Sequence, residues 1–333
     1  MALLSSLATG MTVVLLGAPA GAPCPPAEPG GYQVVDLGTL GGQSSDAAAM
    51  NDRGEVVGVA DTVDNGRHPF LWRHGAMADL GLPPGANYAW ATDVNNRGMV
   101  TVTGITLFSS PRWHAFAWRR GTVIDLGTLG GDSSGSDAVN DRDQVLGWSF
   151  PPDGTAVRHT TLWDGGALTD LGEFYARDLN DRGEVVGTRY LPSGVLRGCR
   201  WADGELTDVD TLGGAAGDAR AVNERGDIVG GADTADGRRH AFVRRAGVMT
   251  DLGTLGGVSS QADAVNDRGD IIGTADTAGG PRHPFLWQHG VMTDLTTRGV
   301  PADATLVAIN NRGQLAGTYQ RHAVRYTPSR REP

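Results

Sequence analysis

The sequence predicts an all-β chain: a seven-bladed β-propeller of four-stranded antiparallel blades, closed by the N-terminal strand pairing with the last blade. Three observations carry this. A turn of the Asn-x-Arg-Gly type recurs seven times, and its first and last asparagines, Asn51 and Asn310, bracket six periods of about 43 residues. The segments between turns are short, rich in Val, Ile, Leu, Phe and Trp, and bounded by Gly, Asn or Asp. No convincing helical stripe of ten or more residues interrupts them.

The chain opens with residues 1–22, which read as a secretory signal. Residues 2–16 are almost all apolar or small, and an Ala-x-Ala site ends at Ala20 or Ala22. The apolar run is shorter than the roughly 20 residues a membrane span needs, and no Arg or Lys precedes Arg53, so the usual positive leader is missing. Export to the cell surface or the medium is expected, with no stable membrane span. Residues 23–31, with Cys24, form a Pro/Gly-rich linker, residues 32–327 the propeller and residues 328–333 a tail.

Within the propeller each repeat supplies four strands. The segment before Asn comes first. The turn follows, as Asn51-Asp52-Arg53-Gly54 and again at Asn95, Asn140, Asn180, Asn223, Asn266 and Asn310. Its glycine suits the left-handed position of a tight hairpin, which residues with a Cβ dislike. Asp143 holds that place in the third copy, and Asp tolerates it better than most. The second strand is an apolar run such as Glu55-Val56-Val57-Gly58. After a variable stretch the third strand reads His-x-Phe-x-Trp, as His68 to Trp72, His114 to Trp118 and His283 to Trp287, with worn copies from His159 and His240. The fourth ends in Asp-Leu-Gly at Asp79, Asp125, Asp170 and Asp251, more weakly at Asp208 and Asp294. Residues 32–38 match a fourth strand and residues 322–326 a third. Joining the two closes the ring and removes its open sheet edges.

Composition narrows the function. The 333 residues include 50 glycines without Gly-X-Y spacing, and 40% are hydrophobic, enough for a core. All 28 basic residues are arginine, against 38 acidic ones; the net charge of −10 disfavours a nucleic-acid partner. Two cysteines cannot build a disulfide scaffold.

The segments His114-Ala115-Phe116 and His240-Ala241-Phe242, with Asp125-Leu126-Gly127-Thr128-Leu129-Gly130-Gly131 and the Asn-x-Arg-Gly turn, resemble the HAF-repeat family of extracellular repeat proteins over about residues 32 to 327. The resemblance implies a secreted or surface-exposed repeat protein and brings no catalytic residues with it. Blade 4 departs from the pattern, with Gly198 where His is expected and Cys199 after it, and blades 2 and 4 lack the Thr-Leu-Gly-Gly segment.

A residue present in every blade is scaffold, because its equivalents lie in separate places around the ring. On that ground the histidines His68, His114, His159, His240, His283 and His322 are expected to hydrogen-bond within their own blades rather than bind metal. Asp61, Asp64 and Asn65, echoed by Asp233 and Asp236, lack the order of a calcium loop and read as hairpin turns. No nucleophile elbow, phosphate loop or zinc motif is present, and no metal or cofactor is expected.

Function is expected where the repeat breaks its own rule. Blades 2 to 4 depart most, and on one face: Tyr88, Trp90, Phe108 and Trp113 in blade 2, Trp148 and Phe150 in blade 3, Phe174, Tyr175 and Tyr190 in blade 4. Aromatic rings near a channel mouth suit stacking on a glycan, a peptide or an apolar small molecule. Two places before the turn Asn, five blades hold alanine while blades 2 and 4 hold Asp93 and Asp178. These carboxylates, with Arg177, are candidates either for the polar part of a pocket under the aromatics or for extra ion pairs between blades. The first expectation is therefore a monomeric binding module that grips its ligand at the mouth of blades 2 to 4. A hydrolase or lyase using these carboxylates is the alternative, which requires Asp93 and Asp178 within about 10 Å across an open pocket. A structural surface-repeat protein is the third.

Overall fold

A computed structural model of the chain describes residues 30–106, 112–155 and 157–329. They form seven four-stranded antiparallel sheets, the blades of a propeller, with one short 3-10 turn at Leu295–Arg298. The inner strands are Gly41–Met50, Tyr88–Val94, Ser134–Val139, Tyr175–Leu179, Gly213–Val222, Gly256–Val265 and Thr305–Ile309. Six blades are made of four consecutive strands; the seventh takes its outermost strand, Tyr32–Asp36, from the other end of the chain. The predicted signal, most of the linker with Cys24, and the end of the tail lie outside the described residues.

Closure uses backbone and side chain alike. Val34 and Asp36 stand opposite Tyr326 and Val324, and the Leu37 N–H donates to the Ala323 carbonyl at 2.9 Å. His322 donates from Nδ1 to Asp36 at 2.8 Å. The same pair is built inside single blades at His68–Asp79 (2.9 Å), His159–Asp170, His240–Asp251 and His283–Asp294 (2.8 Å each), while His114 and Asp125 stay 3.8 Å apart. The first and last strands therefore complete a further copy of this local motif from opposite ends of the sequence.

The turn asparagines explain how blades hold one another. Within its own turn, the Asn51 Oδ1 accepts the amides of Arg53 and Glu55, both at 3.0 Å. Its Nδ2 donates to the carbonyl of Asn95 in the next blade at 3.0 Å. Every turn Asn repeats this step, through Asn95, Asn140, Asn180, Asn223 and Asn266 to Asn310, which returns to Asn51. A second ring runs beside the first: each following residue donates its backbone N–H to the next blade's side chain, from Asp52 to Asn96 and on to Asn311, which donates to Asp52. The turn glycines sit at positive φ, such as +78° at Gly54 and +79° at Gly183, and Asp143 takes φ 65° in their place. The apolar cores lie between neighbouring blades: Phe70 and Trp72 of blade 1, for example, share one cluster with Ala316 and Ala323 of blade 7.

One expectation from sequence needs correcting. Cys199 stands opposite Gly187, as Phe70 stands opposite Gly58, so Arg197, not Gly198, occupies the histidine position of blade 4. Cys199 takes the Phe position, is fully buried, and its thiol is pushed up to about 12 by that burial, with Arg189 opposing. Asp208, deprived of a histidine, pairs with Arg189 at 2.7 Å instead.

Candidate functional site

The face opposite the turn asparagines carries a carboxylate clamp in its regular blades. In blade 1, Arg67 at the start of the third strand pairs with Asp46 of the inner strand (2.6 Å) and Asp61 of the second (3.0 Å). Blade 5 repeats it with Arg239 between Asp218 (2.6 Å) and Asp233 (3.4 Å). Blade 6 keeps half of it, as Arg282 and Asp276 at 3.0 Å. Strand register identifies the same three positions elsewhere. They are Trp90, Ile105 and Trp113 in blade 2, Gly135, Phe150 and Arg158 in blade 3, and Tyr175, Tyr190 and Leu196 in blade 4. Across these three blades every clamp carboxylate is gone, and only one arginine is kept.

The aromatic side chains of these blades, at the replaced positions and beside them, touch. Tyr88 and Trp90 have ring centroids 5.6 Å apart, Trp90 and Trp113 meet edge to face at 5.4 Å, and Trp113 reaches Trp148 at 6.3 Å. Trp148 packs edge to face on Phe150 at 5.7 Å, and Tyr175 on Tyr190 at 6.1 Å. The guanidinium of Arg158 joins the two groups, 5.3 Å from the Trp148 ring centroid and 5.0 Å from that of Tyr175. Gly135 makes this possible: a Cβ there would lie 2.6 Å from Trp148 Nε1. The rings are not sealed in, since Trp113 is 36% exposed, Tyr175 42% and Tyr190 63%.

A cleft of about 260 Å³ opens beside Arg158, between blades 3 and 4, lined among others by Trp148, Tyr175, Tyr190, Leu196, Asp137 and Arg177. Phe174 reaches it from below but belongs chiefly to the core, at 3% exposure. Phe108 lies outside the described residues. Asp137 is the extra residue of a β-bulge between Ser136 and Ala138. Burial pushes its carboxyl up to about 7, against the opposing pull of Arg158 and Arg177, and it accepts no hydrogen bond from any described residue. Arg177 is the bulge residue of blade 4, exposed, and likewise without a hydrogen bond to a described residue.

Asp93 and Asp178 are placed elsewhere. The Asp93 Oδ1 accepts the Val94 amide at 2.7 Å and its Oδ2 the Val139 amide of blade 3 at 2.8 Å. The Asp178 Oδ1 accepts the Leu179 amide and its Oδ2 the Val222 amide of blade 5, both at 2.9 Å. Burial, partly offset by these amides, raises their carboxyls to about 6 and about 7. They join blades 2 to 3 and 4 to 5 through backbone amides rather than through ion pairs. Of the three polar candidates read from sequence, only Arg177 lines the cleft.

Arg158 and Leu196 were not singled out from sequence. A signal existed: Arg67, Arg239 and Arg282 each precede the strand's histidine, as Arg158 does, and each has an Asp opposite it where Arg158 has Phe150. Elsewhere, Asp61 is held by Arg67, and Asp64 accepts from the Thr62 hydroxyl at 2.5 Å in a hairpin turn. Among the described residues no group of three or more His, Cys, Asp or Glu is arranged to hold a metal ion, and no helix is long and apolar enough to cross a membrane.

No family model and no curated protein matches the chain. It is similar to a solved puromycin-hydrolyzing peptidase from Mycobacterium tuberculosis, at 13% identity and a TM-score of 0.54 over 87% of this chain and 52% of that one. An acylaminoacyl peptidase from Pyrococcus horikoshii matches at 11% identity and 0.50, over 79% of this chain and 48% of that one. TolB from Acinetobacter baumannii matches at 14% and 0.46, over 82% and 79%. The chain spans about half the length of the two peptidases, and at these identities the likeness shows the propeller fold alone.

Proposed function

We propose that the chain is an exported binding propeller of the HAF-repeat type, gripping a carbohydrate, peptide or small molecule on the aromatic side chains of blades 2 to 4. One observation carries this reading. At the positions where blade 1 holds Asp46, Asp61 and Arg67, blades 2 to 4 present Trp90, Trp113, Phe150, Tyr175 and Tyr190 in one contiguous group. Half-exposed ion pairs of this sort contribute only about 0.2–1 kcal/mol each, so their loss costs the fold little. Contiguous exposed rings, by contrast, mark a contact surface. Their exposure weighs against a purely structural role.

The test is a thermal-shift screen of the chain against neutral and acidic oligosaccharides, short peptides and aromatic small molecules. A ligand that raises the melting temperature of the wild type, but not of Trp113→Ala or Tyr175→Ala, supports the reading. Ligands whose shift survives both substitutions would place the site elsewhere.

The hydrolase or lyase reading rests on Asp137 rather than on Asp93 and Asp178, since of the three raised carboxyls Asp137 alone lines the cleft, and a carboxyl that titrates near neutral pH is suited to general acid–base work. Loss of turnover in Asp137→Asn, with ligand binding retained, is its test.

A further inference from the structure

We infer that the cleft between blades 3 and 4 binds a sugar acid, a uronate unit of an acidic oligosaccharide, with its carboxylate on Arg158 and Arg177 and its ring face against Tyr175. This rests on the binding reading above and adds the chemical class of the ligand.

The cation is the first reason. In blades 1 and 5 the equivalent arginines, Arg67 and Arg239, are each neutralised by two aspartates. The corresponding places around Arg158 are Gly135 and Phe150; no described carboxylate lies within ion-pair distance of it and no described residue accepts a hydrogen bond from it, Asp137 acting on it only at longer range. Its contacts are with the rings of Trp148 and Tyr175. Ring stacking engages the face of a guanidinium and leaves its donors, which lie in the plane, pointing outward as a fork that fits a carboxylate. Arg177 brings a second unpaired guanidinium to the same cleft. Two guanidiniums against the single carboxyl of Asp137 leave this part of the cleft positive on a chain of net charge −10, a local inversion of sign, and such an inversion attracts an anion.

The other charged groups of the cleft do not cancel it. Asp218 lines the far wall but is held by Arg220 and Arg239 at 2.9 and 2.6 Å. Asp137 has its carboxyl raised to about 7, so near neutral pH it is protonated for much of the time and can donate to a hydroxyl.

The rest of the lining fits a sugar ring. Tyr175 and Tyr190 present ring surface for the C–H face of a pyranose. The hydroxyl of Thr188, which has no partner among the described residues, and the carboxyl of Asp137 supply hydrogen-bonding groups between the rings. An acidic peptide would satisfy the guanidiniums and leave these groups unused.

The experiment is isothermal titration of the full chain with the trimers of D-galacturonate, D-glucuronate and D-mannuronate, with their uncharged methyl esters, and with triglutamate. We expect at least one uronate trimer to bind about tenfold or more tightly than its ester, the difference expected of charge-assisted hydrogen bonds. Arg158→Gln is expected to abolish that preference, and Tyr175→Ala to remove binding of both forms. Arg177→Gln, at an exposed residue with no described partner, serves if Arg158→Gln fails to fold, and is expected to reduce the preference likewise. Equal binding of acid and ester, lost in Tyr175→Ala, would overturn the sugar-acid inference and leave the binding site standing. Preference for triglutamate would do the same in favour of an acidic peptide. Absence of binding by every uronate trimer at millimolar concentration would overturn the inference, and saccharide binding indifferent to Tyr175→Ala would remove the site reading as well.

Discussion

Asp93 and Asp178 stand where five blades have alanine, and each carries a backbone amide across a blade boundary. Removing either carboxylate orphans the buried amide of Val139 or Val222, so Asp93→Ala and Asp178→Ala are each expected to cost about 1–3 kcal/mol in urea unfolding. Asp137, lacking such bonds, is expected to tolerate alanine with a smaller loss. The three carboxyls share a further property. Burial raises them to about 6, 7 and 7 for Asp93, Asp137 and Asp178, while in the unfolded chain they titrate near ~3.9. Between roughly pH 4 and 7 the folded state thus holds protons that the unfolded state has released, and these groups make stability fall as pH rises through that window. In the triple variant Asp93→Asn, Asp137→Asn, Asp178→Asn this slope is expected to flatten, so its stability gains on the wild type as pH rises from 4 to 7. Parallel profiles would contradict the assignment. The odd residues themselves were legible in sequence as breaks in a repeat. Their partners were not, because a backbone amide in the next blade leaves no trace in side-chain spacing.

The turn between the first two strands is the unit that makes a blade and joins it to the next. Asn180 shows how much one side chain does: its Oδ1 accepts the amides of Arg182 and Glu184 at 3.0 and 3.1 Å, and its Nδ2 donates to Glu184 at 2.6 Å and to the Asn223 carbonyl at 3.1 Å. Asn180→Ala is therefore expected to destabilise by about 2 kcal/mol or more, since buried donors and acceptors are left unpaired together. Gly183→Ala isolates a different term. With φ at +79° and no atom within 4 Å of the added Cβ, its expected cost of about 1–2 kcal/mol is conformational alone. Guanidinium unfolding of both variants checks the pair, and equal effects at Gly183 and at an ordinary strand glycine would contradict the assignment. Local chemistry of this kind was readable from sequence because it recurs at fixed spacing. Blade 4 was misread by one residue where the pattern wears thin: with histidine replaced by Arg197 and Phe by Cys199, only pairing with the second strand fixes the register.

The ring as a whole depends on contacts between its two ends, legible because residues 32–38 match the fourth strand of the repeat and residues 322–326 its third. Deleting residues 1–38 removes the strand that covers residues 322–328 and the aspartate that pairs with His322. The open edge is expected to drive self-association, seen by light scattering, and to abolish the single cooperative unfolding transition, whereas deleting residues 330–333 changes neither. The site was only half legible in the same way. Aromatic residues in blades 2 to 4 stood out, but the clamp they replace appears only when three strands are aligned, since its members come from distant parts of each repeat. That replacement is the centre of the account, and restoring the clamp tests it. In a variant carrying Tyr175→Asp, Tyr190→Asp and Leu196→Arg, blade 4 regains the arrangement of blade 1. Measured by titration with the ligand that most stabilises the wild type, this variant is expected to unfold within about 1 kcal/mol of the wild type and to have lost the ligand. Retained binding in a folded variant would contradict it.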